Sequence, residues 1–412
     1  MTIPYQAIPA PKQFRRMIID LVRSAEESET ACPHAPPQGM CGGCSFQNRP
    51  YAAQLSAKGQ ALHSLWVQDL TEEQCASIGV VGSPQPLRYR TRMDYVATKG
   101  RFGLRRGGKF NYIVDLDQCW LLPEQAFLAA RACYEYAMQL GLPDYNLRSH
   151  EGFLRYVVVR RSPQDTYLLA IVTADATRAA VDEAQIDALA AHVLAQPGVV
   201  GFHWLLNDTK TDLSFGQPYR HWGAETLAMQ VGSYHLAIGV NTFFQNNVYL
   251  MPALLEAVAK GLEVPGASIG PVADLYGGVG TFAIGLADRL AEIVTVESVE
   301  ESARLAMDNI RTHKLRHVCA VHAEVLDFLR SQEVGIFEAM IADPPRTGLG
   351  ADVCAEILRL KPERLVYVSC NPLSQLEDIR LLTAEYALQS LQGYDMFPQT
   401  PHLEALAVLV RR

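Results

Sequence analysis

The 412-residue sequence contains no run of about 18 apolar residues, so no membrane-spanning helix is expected. Its start, with Pro4, Pro9 and Pro11 followed by Arg15 and Arg16, lacks the continuous apolar core of a signal peptide. A cytoplasmic protein with no membrane partner follows. A dense, even set of cysteines is missing as well. Nine Cys, an odd number scattered through the chain, argue against a disulfide framework and for free thiols, a metal site or catalysis. Net positive charge is also missing: at −8 the overall balance does not advertise nucleic-acid binding, and any such surface must come from local distribution. What remains is a globular composition in a chain too long for one ordinary core, for which two domains plus a small module are expected.

Chemistry concentrates at the ends of three strand-like apolar runs. Leu365-Val366-Tyr367-Val368 ends in Ser369-Cys370-Asn371-Pro372, Ala339-Met340-Ile341-Ala342 ends in Asp343-Pro344-Pro345-Arg346, and Val272-Ala273 leads into Asp274-Leu275-Tyr276-Gly277-Gly278-Val279-Gly280. Val and Tyr suit buried strands, and Asn-Pro ends one. In an open α/β sheet, ligands lie beyond the carboxyl ends of the strands, so Cys370 is placed where a nucleophile belongs. An arbitrary Cys is more often a small buried hydrophobe; its company is what distinguishes this one.

The region from 239 onward follows a doubly wound pattern. Asn241 to Asn247 precedes a helix at about 248–261, then come the strand to Leu275, the glycine loop, a helix through Leu290 and the strand Ile293-Val294-Thr295-Val296 ending at Glu297. A glycine loop permits close backbone approach, and an acid about 20 residues on can accept hydrogen bonds from ribose hydroxyls. The dinucleotide fingerprint Gly-x-Gly-x-x-Gly is absent, so adenosylmethionine fits better than NAD.

The N-terminal half reads differently. Residues 1–31 form a Pro-rich start, a short helix near Phe14 to Val22 and an acidic run, expected to be a tail or loosely docked extension. Cys32, Cys41 and Cys44 follow within thirteen residues, with Gly42 and Gly43 allowing the Cys-x2-Cys pair to reach one centre. Cys119 is the best candidate for a fourth ligand, because Cys75 and Cys133 sit in helical-looking stretches. Zinc and an iron–sulfur cluster remain open on spacing alone. From Leu87 to Phe110 eight basic residues face the single acid Asp94, with Tyr89, Tyr95, Phe102 and Phe110 interleaved. Alternation around Gly100 predicts a hairpin, and cations with aromatics are the composition of an RNA-facing surface. A solvated charged strand face would look the same. Arg148, Arg155, Arg160 and Arg161 form a further basic group, and residues 165–240 alternate strand-like runs with an Ala-rich helix near 179–195.

Glycine loop, Glu297, Asp343-Pro344-Pro345-Arg346, Ser369-Cys370-Asn371-Pro372, Pro401-His402-Leu403-Glu404 and the Phe243-Phe244-Gln245-Asn246 stretch together resemble the RNA uracil-C5-methyltransferase family over roughly residues 32 to 412. The resemblance implies an α/β fold with a C-terminal Rossmann-like doubly wound methyltransferase domain at 239–412. Before it would lie a mixed α/β RNA-binding domain carrying an iron–sulfur module at 32–238, and an extension at 1–31. It implies Cys370 as nucleophile, Glu404 as base, and S-adenosylmethionine contacts at Gln245, Tyr276, Thr281, Glu297, Glu324 and Asp343. It further implies a [4Fe-4S] cluster on Cys32, Cys41, Cys44 and Cys119. Two departures are a longer spacer between Cys32 and Cys41 and Tyr276-Gly277-Gly278-Val279-Gly280 in place of the commoner Phe-Cys-Gly-x-Gly. The small N-terminal β-barrel of some members is absent. The chain therefore looks most like members that methylate a uridine in 23S ribosomal RNA, with the T-loop of transfer RNA as the alternative target. No obligate protein partner is evident, and a monomer is expected.

The chemistry explains the pairing. Carbon 5 of uracil is too weak a nucleophile to attack a sulfonium methyl until a thiolate adds at carbon 6, and a base must then remove the carbon 5 proton. The apolar run Ala405 to Val410 predicts partial burial and a raised pKa for Glu404. Two rivals are an amino-group methyltransferase, against which Arg346 and a superfluous thiol count, and a non-catalytic RNA-binding factor with a structural metal site.

Overall fold

The computed structural model describes residues 8–176, 181–263 and 269–412. Two sheets organise the chain. The first has seven strands in the order Lys109–Asp115, Arg101–Arg106, Arg92–Thr98, Leu154–Arg161, Tyr167–Thr173, Val199–Leu206 and Gln217–Gly223. All neighbours are antiparallel except Tyr167–Thr173 with Val199–Leu206, which are joined through the helix Glu183–Leu194; a parallel neighbour needs such a crossover. Residues 179 and 180 of the expected Ala-rich helix lie outside the described residues. The helices Glu124–Gln139 and Glu183–Leu194 share one core with this sheet.

The second sheet is the doubly wound one. From its edge the order is Val80–Val81, Tyr386–Tyr394, Glu404–Arg411, Arg364–Ser369, Ala339–Ala342, Pro271–Leu275, Glu292–Glu297 and Val318–His322. The last five are mutually parallel, whereas Glu404–Arg411 runs antiparallel to both its neighbours. Starting at Pro271, the chain winds outward to Val318–His322, returns, and winds the other way from Ala339. Strand order therefore reverses between Pro271–Leu275 and Ala339–Ala342, the place where ligands bind in open α/β sheets. The predicted helix through Leu290 is shorter than expected. It spans Thr281–Gly285 and gives way to a 3₁₀ turn at Ala287–Arg289. Gly285 packs so closely on Val231 and Leu255 that a Cβ there would come within 2.7 Å of Val231.

From residue 8 onward the N-terminal segment is not a loose tail. Its helix Pro11–Arg23 buries Phe14, Ile18 and Val22, a four-residue repeat that lines one helical face. That face joins the second helix, Tyr51–Trp66, in the same core as Met340, Tyr367 and Leu409 of the doubly wound sheet. The hairpin Leu227–Val231 with Tyr234–Ile238 packs on the opposite side of that sheet, with Leu254, Val272 and Phe282. Among the described residues no helix is long and apolar enough to cross a membrane.

Candidate active site

The glycine loop is shaped by contacts across two strands. Tyr276 adopts φ 62°, Gly278 58° and Gly280 86°, and a Cβ on Gly277 would sit 1.7 Å from Thr295 Oγ1. Only glycine fits that approach. Beneath the loop, buried Asp274 accepts from Thr295 Oγ1 at 2.9 Å and from the Ala283 amide at 3.3 Å, fastening the strand end to the start of the next helix. Glu297 accepts from the Gly278 amide at 2.9 Å and the Val299 amide at 2.7 Å, so its carboxylate borders the loop at the end of the adjacent strand. Thr281 is buried at the first turn after Gly280. Glu324 is exposed just beyond Glu297, whose carbonyl accepts the Ala323 amide at 3.1 Å.

Asp343 follows Ala342 on the other side of the switch point. Gln245, on the connection that follows the 227–238 hairpin, donates from Nε2 to Asp343 Oδ2 at 2.9 Å. Burial, reinforced by the charge of Asp274, pushes the Asp343 carboxyl up to about 7, and burial does the same to Asp274. The six residues expected to contact a methyl donor thus lie at one end of the parallel strands, Tyr276 and Thr281 on either side of the glycine loop and Glu324 at the exposed margin.

Cys370 ends the strand Arg364–Ser369 and precedes the helix Pro372–Leu382. Asn371 Nδ2 donates to the Arg346 carbonyl at 2.8 Å, so the thiol loop docks on the Asp343–Arg346 loop. Burial raises the thiol to about 11, the charges of Glu404 and Asp343 add to that, and Arg346 opposes them. The positive end of the following helix also favours a thiolate here. Glu404 is 2 % exposed, and its Oε1 has no hydrogen-bond partner within the protein. Burial raises this carboxyl well above the ordinary range, Asp343 adds to the effect and Arg346 opposes it. His402 is pushed down to about 4, by burial first and then by Arg346. Arg346 is therefore the cation common to all three groups. In the sequence Arg346 is part of the Asp343-Pro344-Pro345-Arg346 motif and counts against an amino-group methyltransferase, but nothing local gives it this place beside the thiol and the carboxyl.

The four cysteines assigned to a metal share one core, with Cys32, Cys41 and Cys44 buried and Cys119 half-buried. Burial pushes Cys41 up to about 12 and raises Cys32 and Cys44, and the charge of Cys119 adds to each shift. The Gly43 amide points at Cys41 Sγ from 3.4 Å, and Gln47 Nε2 at Cys44 Sγ from 3.1 Å. As the side chains stand, no group of three or more His, Cys, Asp or Glu among the described residues converges tightly enough to hold an ion. A gathering of buried thiols with N–H groups aimed at sulfur nevertheless has the donor chemistry for a thiolate-ligated centre.

The basic hairpin is real, with Lys99 and Gly100 at its turn, but Tyr89, Tyr95 and Phe102 do not face outward. All three are fully buried; behind the sheet Tyr95 meets Phe127 edge-on and Phe102 stacks on Tyr134. Strand alternation sends one face inward, and the aromatics took it. The side chain of Phe110 lies outside the described residues. Arg155, Arg160 and Arg161 are likewise buried and hydrogen-bonded to backbone carbonyls of Thr209, Thr242 and Arg88. The exposed cations are Arg88, Lys99, Arg101, Lys109 and Arg148. Exposed aromatics come instead from Tyr112, beneath Arg101, and Phe215, beneath Arg92. A cleft of about 620 Å³ runs between this hairpin, the Gly42–Ser45 segment and Thr400-Pro401-His402, with Arg90, Arg92, Arg105 and Arg106 in its walls.

The profile of the tRNA (uracil-5-)-methyltransferase family matches residues 206–412. The tRNA (uracil(54)-C(5))-methyltransferase of Pyrococcus horikoshii is 33 % identical over 378 residues, covering 90 % of this chain and 84 % of that protein. The Pyrococcus abyssi protein of the same name is 31 % identical, covering 92 % and 86 %. The crystal structure of the P. abyssi tRNA (uracil-54, C5)-methyltransferase in complex with S-adenosyl-L-homocysteine superposes with a TM-score of 0.74 at 29 % identity, covering 90 % of this chain and 86 % of that one. The chain belongs to the RNA uracil-C5-methyltransferase family and is an S-adenosylmethionine-dependent RNA (uracil-C5)-methyltransferase.

Proposed function

We propose that this enzyme methylates carbon 5 of a T-loop uridine in transfer RNA through a covalent adduct between Cys370 and uracil carbon 6, with Glu404 as the base. The observation that carries the mechanism is the thiol and the unpartnered buried carboxyl at adjacent strand ends, with Arg346 beside both. Cys370 loses its proton to solvent and its sulfur pair adds to carbon 6; the C5=C6 pair shifts between carbons 4 and 5 and the carbonyl pair moves onto the carbon 4 oxygen, giving an enolate. That enolate pair then bonds carbon 5 to the methyl carbon as the sulfonium C–S bond breaks, releasing S-adenosylhomocysteine. Glu404 takes the carbon 5 proton, the C–H pair re-forms the C5=C6 bond, and the thiolate of Cys370 leaves. Cys370, Asp343 and Glu404 all ionise more readily once the positive sulfonium is near them, which offsets their burial.

Gln245, Tyr276, Thr281, Glu297, Asp343 and Glu324 are the proposed donor contacts. The target uridine must be unstacked from its loop for either reactive carbon to be reached. We assign RNA binding and the cysteine module to residues 32–238 and methyl transfer to 239–412. Cys32, Cys41, Cys44 and Cys119, which share one core and have N–H groups aimed at two of the sulfurs, would hold a [4Fe-4S] cluster. The names of the relatives favour transfer RNA. The second reading, a uridine of 23S ribosomal RNA, is the target that the family resemblance first implied. Incubation with labelled S-adenosylmethionine and separate transfer-RNA and 23S transcripts decides: 5-methyluridine in the T-loop supports the first reading, product only in the 23S transcript the second. Label in neither transcript contradicts both.

A further inference from the structure

Glu404 is delivered to the site by the connection 395–403, which joins the strands Tyr386–Tyr394 and Glu404–Arg411. This connection is held from far away in the sequence. Lys58, on the helix Tyr51–Trp66, pairs with Asp395 at 2.6 Å, and neither side chain has any exposure. Lys58 Nζ also donates to the Phe397 carbonyl at 3.3 Å. One turn earlier on the same helix, Gln54 makes a reciprocal pair with Gln399: its Nε2 donates to Gln399 Oε1 at 2.9 Å, and its Oε1 accepts the Gln399 amide at 3.1 Å. The Tyr89 hydroxyl donates to the Pro398 carbonyl at 3.0 Å, and the Ser45 amide to the Gln399 carbonyl at 2.7 Å.

We propose that Lys58 and Asp395, with the Gln54–Gln399 pair, are positioning residues that aim Glu404 at the carbon 5 proton. This rests on the reading of Glu404 as the base. Gln399 supports it, because a non-glycine residue at φ 67° keeps that conformation only when its surroundings over-determine it. From there the connection passes its geometry on: Thr400 Oγ1 donates to the Phe397 carbonyl at 2.8 Å and accepts the His402 amide at 3.3 Å, two residues before Glu404. The charge of the ion pair is the second argument. Burying two ions gives up their hydration, and an apolar pair of similar volume is often equally stable. What the ion pair supplies that an apolar pair does not is a single fixed distance. Glu404, with Oε1 unbonded, has no hydrogen bond of its own at that atom to set its aim, so its backbone must do so. The Ser45 contact, one residue after Cys44, also ties the cysteine segment to the same connection.

The full-length double variant Lys58→Met with Asp395→Leu removes both charges at similar volume, and Gln54→Met breaks the amide pair while leaving the ion pair. Single-turnover reactions with labelled S-adenosylmethionine and the methylatable transcript follow two quantities: methyl incorporation, and decay of the protein–RNA adduct that survives denaturation. The double variant is expected to melt near the wild-type temperature and to incorporate methyl at about the wild-type rate, while its adduct decays at least about tenfold more slowly. A purely structural role would lower both rates or neither, and adduct decay at the wild-type rate overturns the proposal. If the double variant does not fold, Gln54→Met is judged by the same criterion. Glu404→Gln, run in parallel, separates the layers. Without a trapped adduct there, the base assignment itself fails and the positioning role with it; with one, wild-type decay in the clamp variants overturns the positioning role alone.

Discussion

Cys370 and Glu404 meet because their strands are antiparallel neighbours: Ser369 pairs with Ala405, so the residue after the first and the residue before the second stand opposite one another at the end of the sheet. A parallel final strand would have sent its first residue to the far edge. The inserted antiparallel strand Glu404–Arg411 therefore brings a carboxyl to the loop end, where the donor site also lies. Replacing Cys370 by Ala should abolish methyl transfer while leaving donor affinity, measured calorimetrically, within about twofold of wild type. Activity above about a tenth of wild type would remove Cys370 from the nucleophile's role.

The pH response of the thiol follows from its surroundings. A pKa raised to about 11 means that Cys370 is almost wholly protonated at neutral pH in the free protein. The thiolate is the reactive form, so alkylation of the Cys370 peptide should be slower than that of an unperturbed thiol at pH 8. It should then rise about tenfold per pH unit towards pH 11. Arg346→Met should slow it further, because the cation that opposes the upward shift is gone. A plateau below pH 9 would show that neither burial nor the neighbouring carboxylates hold the thiol up.

Exposed cations, rather than the half-buried ones, should carry salt-dependent binding. Arg92 is paired with Asp94 at 2.8 Å and donates to the Val240 carbonyl at 2.9 Å, so its loss would disturb the fold. Lys99→Ala with Arg101→Ala and Lys109→Ala should leave melting unchanged, weaken RNA binding and flatten its dependence on salt concentration. An unaltered salt slope would return this edge of the hairpin to a solvated surface.

The cysteine module makes a chemical prediction. Protein purified without oxygen should contain iron and inorganic sulfide at about four of each per chain and absorb as a brown chromophore. Cys41→Ala should lose both and impair RNA binding more than donor binding. Zinc in their place would keep the module but refute the cluster.

How much of this was legible in the sequence depends on the distance over which each feature is decided. Strand ends with their Asp343, Cys370 and Glu297 are written in local runs of apolar and turn-forming residues, and they stand where the pattern put them. The helix Pro11–Arg23 was legible as a helix but not as a core element, since what Phe14, Ile18 and Val22 pack against is decided hundreds of residues later. Tyr95 and Phe102 belong to a run with the composition of an RNA-facing surface yet are buried, because alternation reveals two faces without saying which is covered. The Lys58–Asp395 pair leaves no local trace: each is an ordinary charged residue until the 395–403 connection is laid on the Tyr51–Trp66 helix.

The most direct test of the covalent account is denaturing electrophoresis of Glu404→Gln after incubation with radiolabelled RNA and S-adenosylmethionine. Addition and methyl transfer precede the step that needs the base, so the variant should accumulate methylated RNA bonded to Cys370. The predicted result is a shifted band that requires S-adenosylmethionine, carries the methyl label, and is absent when Cys370→Ala is added to the same chain. Slow replacement of the base by water would let it fade over hours. Free turnover by Glu404→Gln, or inactivity without a trapped band despite normal donor and RNA binding, would contradict the account.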